Sequence, residues 1–230
     1  MGGGLTAVVT TYRTVTLESA QHAIKVYNEG LYGCVKNPEV DQQARDMFAD
    51  GLGSTSAEIL RQVEFIGRNY GGAAGFKAAY SLAPDITRDI FANRQQYNQT
   101  AVSALPILSQ IPSRSTIEIL YRPFVKPLHG KSHWQVWGTK FWHFLNPDAF
   151  PIEDRYVNQF FVISDANSVD TYVKFLNRFR EFALSHQNWV SHLREVDGDA
   201  DGEIACCENK LWDKMCYGFG DLASAAKKRK

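Results

Sequence analysis

Apolar residues recur along this chain at spacings of three and four, the period that lays them on one face of a helix. In TLESAQHAIKVYNEGLYG, Leu17, Ala20, Ile24 and Tyr27 fall on one stripe, and Gly33 is a natural stop. TSAEILRQVEFIGRNYGG opens with Thr55 and Glu58 in a capping-box arrangement, carries Ile59, Val63 and Ile66 at helical spacing, and ends at Gly71-Gly72. Residues 73 to 81 and 85 to 109 continue the pattern, with breaks expected near Pro84 and Pro106. The run Thr116 to Tyr121 is β-like and is cut by Pro123, so it could form one isolated strand, and a sheet is not supported. Helical spacing returns over 133 to 145, where Asn146-Pro147 stops it, and again over 154 to 162. The longest stretch runs from 169 to 196, capped within Asn167 to Asp170, with Tyr172, Phe175, Leu176, Phe179, Phe182, Ala183, Trp189 and Leu193 on its apolar side; a last helix spans 208 to 218. The expected fold is all-α (mostly α): a single-domain multi-helix bundle over 13–220, with at most one short β segment near 116–121, a flexible leader at 1–12 and a basic flexible tail at 221–230.

Composition narrows the choice of function. Lys+Arg and Asp+Glu number 25 each, so an evenly basic nucleic-acid binder is excluded and any electrostatic site must arise locally. Two asymmetries stand out. Arg114, Arg122, Lys126, Lys131 and Lys140 face only Glu118 between Ile111 and His143, whereas Glu195 to Glu208 is acidic throughout. No apolar run is long enough to cross a bilayer, so no membrane partner is expected. Cys34, Cys206, Cys207 and Cys216 form neither a disulfide framework nor a zinc pattern, which points to reduced thiols and a cytoplasmic setting.

Two segments carry candidate chemistry. In VWGTKFWHFLNPDAFPIEDRYV (136 to 157), a helix beginning at Gly138 would offer the amides of Gly138 and Thr139 to a phosphate. Lys140 beside them could act as a nucleophile, and Asp154, after the turn set by Pro147 and Pro151, could stabilise a developing sugar cation. The same residues also admit a packing reading, with Trp134, Trp137, Phe141, Phe144 and Leu145 in the core, Asp154 as a helix cap, and Lys140 snorkelling or paired with Asp154.

Gly138-Thr139-Lys140 followed by Pro147, Phe150-Pro151-Ile152, Asp154 and Val157 resembles the helix-hairpin-helix DNA glycosylases, and the segment is similar to one found in uncharacterised bacterial helical proteins. The glycosylase resemblance implies DNA as a partner, phosphate contacts at Gly138 and Thr139, a Schiff base on Lys140 and a catalytic carboxylate at Asp154. Where that family has its first hairpin glycine, this chain has Val136-Trp137.

The second segment, DGDADGEIACCE (197 to 208), matches the spacing of an EF-hand calcium loop. Asp197, Asp199 and Asp201 take its positions 1, 3 and 5, Gly202 position 6, the Glu203 carbonyl position 7, and Glu208 the bidentate position 12. Calcium is the cofactor such a loop would hold. The alternative is a solvated acidic connection between two helices, with mutually repelling carboxylates.

Overall fold

A computed structural model describes residues 12–29, 38–70, 72–125, 134–163, 168–198 and 208–228. Among them the chain forms eleven α-helices and no strand: α1 (Leu17–Asn28), α2 (Pro38–Phe48), α3 (Ser56–Tyr70), α4 (Gly72–Ala92), α5 (Arg94–Val102), α6 (Arg114–Val125), α7 (Trp134–Leu145), α8 (Arg155–Phe160), α9 (Val169–Ser185), α10 (Val190–Asp197) and α11 (Glu208–Lys228). A single 3₁₀ turn, Gln187–Trp189, separates α9 from α10.

Local chemistry explains most of the boundaries. The Thr55–Glu58 capping box forms: the Thr55 hydroxyl accepts from the Glu58 N–H at 3.2 Å, and a Glu58 carboxylate oxygen accepts from the Thr55 N–H at 2.9 Å. Donation from the Ser54 side chain, then from the Thr55 and Ser54 backbone, holds the Glu58 carboxyl down at about 2. A second box closes on α1, between Thr16 and Ser19. The Ser168 hydroxyl accepts from Thr171 N–H at 3.1 Å and starts α9. Asn146, after α7, donates its side-chain amide to the carbonyls of Ala101 (2.9 Å) and Ala104 (3.0 Å), which ties the α7 stop to the end of α5.

Four expectations are corrected. Residues 116–121 are helical, within α6, because Ile117, Leu120, Tyr121 and Phe124 bury one face at positions i, i+3, i+4 and i+7, and the Ser113 hydroxyl accepts from Thr116 N–H at 3.1 Å. That burial outweighs the strand preference of the β-branched residues. Pro84 and Pro123 lie inside α4 and α6 without ending them. The 169–196 stretch is two helices, parted where the His186 ring stacks on Phe182 (4.3 Å) and meets Trp189 edge-on (4.2 Å). Finally α11 runs on to Lys228, past the expected stop at 218 and through most of the expected tail.

Aromatic rings fill the core. Trp142, Trp212, Phe124, Phe141, Phe160, Phe175 and Phe182 are fully buried. α7 lies among α2, α3, α5 and α6, and Trp142 donates its indole N–H to the Leu120 carbonyl at 2.8 Å. On the other side α11 packs on α1 and α8. Two glycines permit that approach: a Cβ on Gly218 would lie 1.9 Å from the Ala23 carbonyl oxygen, and one on Gly220 would lie 2.1 Å from the Tyr156 ring. Tyr12 packs its ring against Phe182 at 4.9 Å, so the domain reaches at least that far toward the start of the chain. α8 ends on Val162, held at φ 52, while Ile163 N–H returns to the Asn158 carbonyl at 2.9 Å. No described helix is long and apolar enough to cross a membrane.

Candidate functional site

The GTK and PIED segments meet, and they do so in the interior. Gly138 is the fifth residue of α7, where its N–H is directed back into the helix rather than outward. It is buried, and a Cβ there would stand 2.7 Å from one carbon of the Tyr121 ring and 3.3 Å from Phe124. Thr139 is fully buried; its hydroxyl donates to the Val136 carbonyl (3.1 Å) and accepts from Glu153 N–H (3.3 Å). At Gly138 and Thr139, where a phosphate grip is expected, the structure places a joint between elements. The glycine lets α6 and α7 close up, and the threonine fastens α7 to the backbone just before Asp154.

Asp154 is the N-cap of α8, with Oδ1 accepting from Tyr156 N–H (2.9 Å) and Val157 N–H (3.1 Å). Lys140 is 7% exposed, and its ammonium donates to the Tyr70 carbonyl at 3.1 Å and sits 5.9 Å from the centre of the Tyr70 ring. The two expected catalytic residues thus share one buried region.

That region contains more than the sequence pattern disclosed. From α11, Asp213 (4% exposed) and Lys210 (9% exposed) join it, paired at 3.1 Å. Burial pushes the Asp213 carboxyl up to about 6 against the pull of Lys210; the Asp154 carboxylate adds to the rise, and Lys140 opposes it. Burial, then the carboxylates of Asp154 and Asp213, also push up the Tyr217 phenol. The Cys216 thiol rises through burial, then through Asp213 and Asp154. Asp213 Oδ1 is shielded from solvent and has no hydrogen-bond partner among the described residues, whereas the buried Asp154 carboxylate is met by the Tyr217 phenol, whose hydrogen bond to it adds to the rise of that phenol. Glu153, on the other side of the joint, raises the pKa of both Tyr121 and Tyr172, after burial. In the sequence, Lys210-x-x-Asp213 reads as an ordinary exposed pair one helical turn apart; nothing in its spacing signals that it turns inward.

Of the expected calcium ligands, Asp199, Asp201 and Glu203 lie outside the described residues. The two ends of the loop are described, and they are already engaged. Asp197 Oδ2 is paired with the Lys214 ammonium at 2.5 Å, and Oδ1 accepts from the Asn28 amide at 2.9 Å. Glu208 accepts from the Trp212 indole at 3.4 Å, and burial raises its carboxyl. Among the described residues no group of three His, Cys, Asp or Glu could hold a metal.

The basic stretch is also altered by folding. Arg114 is paired with Glu118 (2.8 Å) and with Asp170, and Lys140 points into the protein; Lys126 and Lys131 lie outside the described residues. Two surface grooves are present. One, of about 860 Å³, runs past Asp46, Asp50, Glu58, Arg61 and Arg94; the other, of about 510 Å³, lies between the end of α5 and the start of α6. Neither is lined by Lys140 or Asp154. No protein-family model matches the chain, and neither a curated protein nor a solved structure does.

Proposed function

We propose that this chain is a non-enzymatic helical structural or interaction protein, in which the GTK and PIED segments join α7, α8 and α11. The observation that carries this reading is the contact of Gly138 with Tyr121: the backbone that would have to grip a DNA phosphate is used to pack two helices. Three further features support it. The Lys140 ammonium is held by an internal carbonyl, Arg114 is neutralised on both sides, and Lys214 fills the place a cation would take beside Asp197.

A second reading, DNA-glycosylase/lyase-like chemistry, is favoured by one specific observation: Lys140 and Asp154 both act on a third buried group, the Asp213 carboxyl, which burial pushes up to about 6. Lys140 would then be the nucleophile and Asp154 the carboxylate that stabilises the sugar cation. Borohydride treatment in the presence of abasic-site DNA separates the two readings. The first expects no covalent adduct and no salt-dependent DNA binding. An adduct that forms with the wild type and is lost in Lys140→Ala overturns it in favour of the second.

A further inference from the structure

We propose that the groove between α2 and α3 binds a short zwitterionic peptide of about three residues, with its ammonium end against Asp46 and Asp50, its carboxylate against Arg61, and its apolar side chains against Met47 and Phe65. No residue of the joint around Gly138 lines this groove, so the site stands apart from either reading of that joint.

The groove, of about 860 Å³, has two walls and a floor. One wall is Gln43, Asp46, Met47 and Asp50, along α2 and just past its end; the other is Glu58, Arg61 and Phe65, on one face of α3. Glu58 to Phe65 covers two helical turns, about 10 Å, and an extended peptide advances about 3.3 Å per residue, so about three residues fill that length. The floor is the connection 51–54, and side chains hold it. Gln62, 2% exposed, donates to the carbonyls of Met47 (3.0 Å) and Gly51 (2.9 Å) and accepts from Gly53 N–H (3.1 Å). Asn98 accepts from Leu52 N–H (3.1 Å), Arg94 donates to the carbonyls of Gly53 (2.6 Å) and Leu52 (3.1 Å), and Glu58 accepts from Ser54 N–H (2.7 Å). A connection fixed in this way is ordered before a ligand arrives, which lowers the entropy cost of binding.

The walls carry opposite charges that do not meet. Among the described residues the side chains of Arg61 and Asp50 make no ion pair or hydrogen bond, and no carboxylate pairs with Arg94. The Asp46 carboxylate accepts from the neutral Gln42 amide at 2.7 Å, and Glu58 is answered by the donors of Ser54 and Thr55. Asp46 and Asp50 on one side, and Arg61 on the other, are left for a ligand to bridge. A purely anionic ligand would meet the two aspartates, a purely cationic one would meet Arg61 and Arg94, and a neutral one would cover both signs without answering either. A free peptide supplies one charge of each sign. Exposed Gln43 offers its amide to the peptide backbone, and half-buried Met47 and Phe65 offer apolar surface to its side chains.

Titration of the full chain with the tripeptide Ala-Leu-Ala, read by amide NMR shifts and calorimetry, tests the proposal against the same peptide N-acetylated or C-amidated. The free peptide is expected to move resonances of α2, residues 51–54 and α3, and each cap is expected to weaken binding about tenfold, the scale of one lost charge-assisted contact. Two variants assign the ends. Arg61→Gln should bind the free and the amidated peptide equally, and the double variant Asp46→Asn/Asp50→Asn should bind the free and the acetylated peptide equally. All three side chains are exposed, so both variants are expected to fold. Groove resonances that stay in place at millimolar free peptide, shifts confined to another part of the molecule, affinity indifferent to either cap, or variants that keep the wild-type response to the caps overturn the proposal.

Discussion

Replacing Gly138 with alanine distinguishes a packing glycine from a binding one. On an open helix surface the change is favourable by about 1 kcal/mol, because alanine loses less backbone freedom than glycine. Here the added methyl would meet Tyr121 at 2.7 and 2.9 Å and Phe124 at 3.3 Å, all closer than carbon atoms rest. Neither ring has room to retreat. Tyr121 is fully buried with its ring centre 5.4 Å from that of Tyr172 in an edge-to-face contact, and Phe124 is packed by Trp137, Phe141 and Trp142. Overpacking costs about 1–3 kcal/mol and, with both rings fixed, falls in the upper half of that range, about 2–3 kcal/mol, so the net expectation is a loss of about 1–2 kcal/mol after the helix gain is subtracted. For a domain of this size that corresponds to a fall in Tm of about 5 °C, and in urea it appears as a lower midpoint at unchanged slope. The loss should largely vanish when Tyr121→Ala opens space for the methyl, giving a coupling of about 1 kcal/mol or more in a double-mutant cycle. A Gly138→Ala protein as stable as the wild type, or more so, would refute the packing account. It would put that residue back at an open helix start, with its amide available to a ligand.

Two further outcomes follow from the local geometry. Val162 holds φ 52, a region that penalises a β-branched side chain by about 1–2 kcal/mol, and its side chain is well exposed; Val162→Gly should raise stability by about 1 kcal/mol in thermal or urea melts, and a loss of stability would show that the valine makes a contact worth more than its strain. The Asp197–Lys214 pair is nearly enclosed, so Lys214→Ala should lower stability by about 3 kcal/mol by leaving a buried carboxylate short of its cation, and millimolar calcium should leave the wild-type melt unmoved; a calcium-dependent rise in the wild-type Tm would show that the ion displaces the lysine.

The fold class was legible because period and caps agreed. Thr55 with Glu58 marked the start of α3, and Asn146-Pro147 marked the stop of α7. What misled was single-residue chemistry read without its tertiary surroundings. Thr116, Ile117 and Ile119 suggest a strand, yet the spacing of Ile117, Leu120, Tyr121 and Phe124 is helical, and burial of that face prevailed. Pro84 and Pro123 each forfeit one helix hydrogen bond, and the packing of α4 and α6 tolerates that loss. α2 carries a signal in the sequence, Pro38 at its first position followed by Ala44 and Phe48 on the buried side. That Lys140 and Asp154 lie in one region could be read from the sequence, because a short connection joins α7 to α8. The place of Asp213 and Lys210 could not, since their inward orientation is set by how closely α11 approaches α1 and α8.

That close approach has a bearing on how the molecule is made. Ala23 and Gly218 touch backbone to backbone although nearly the whole chain separates them. During synthesis, α1 leaves the ribosome long before its principal neighbour exists, and its buried face of Ala20, Ala23 and Ile24 stays uncovered on that side until α11 emerges. Closure of α1 on α11 is thus a long-loop event, of the sort that slows folding.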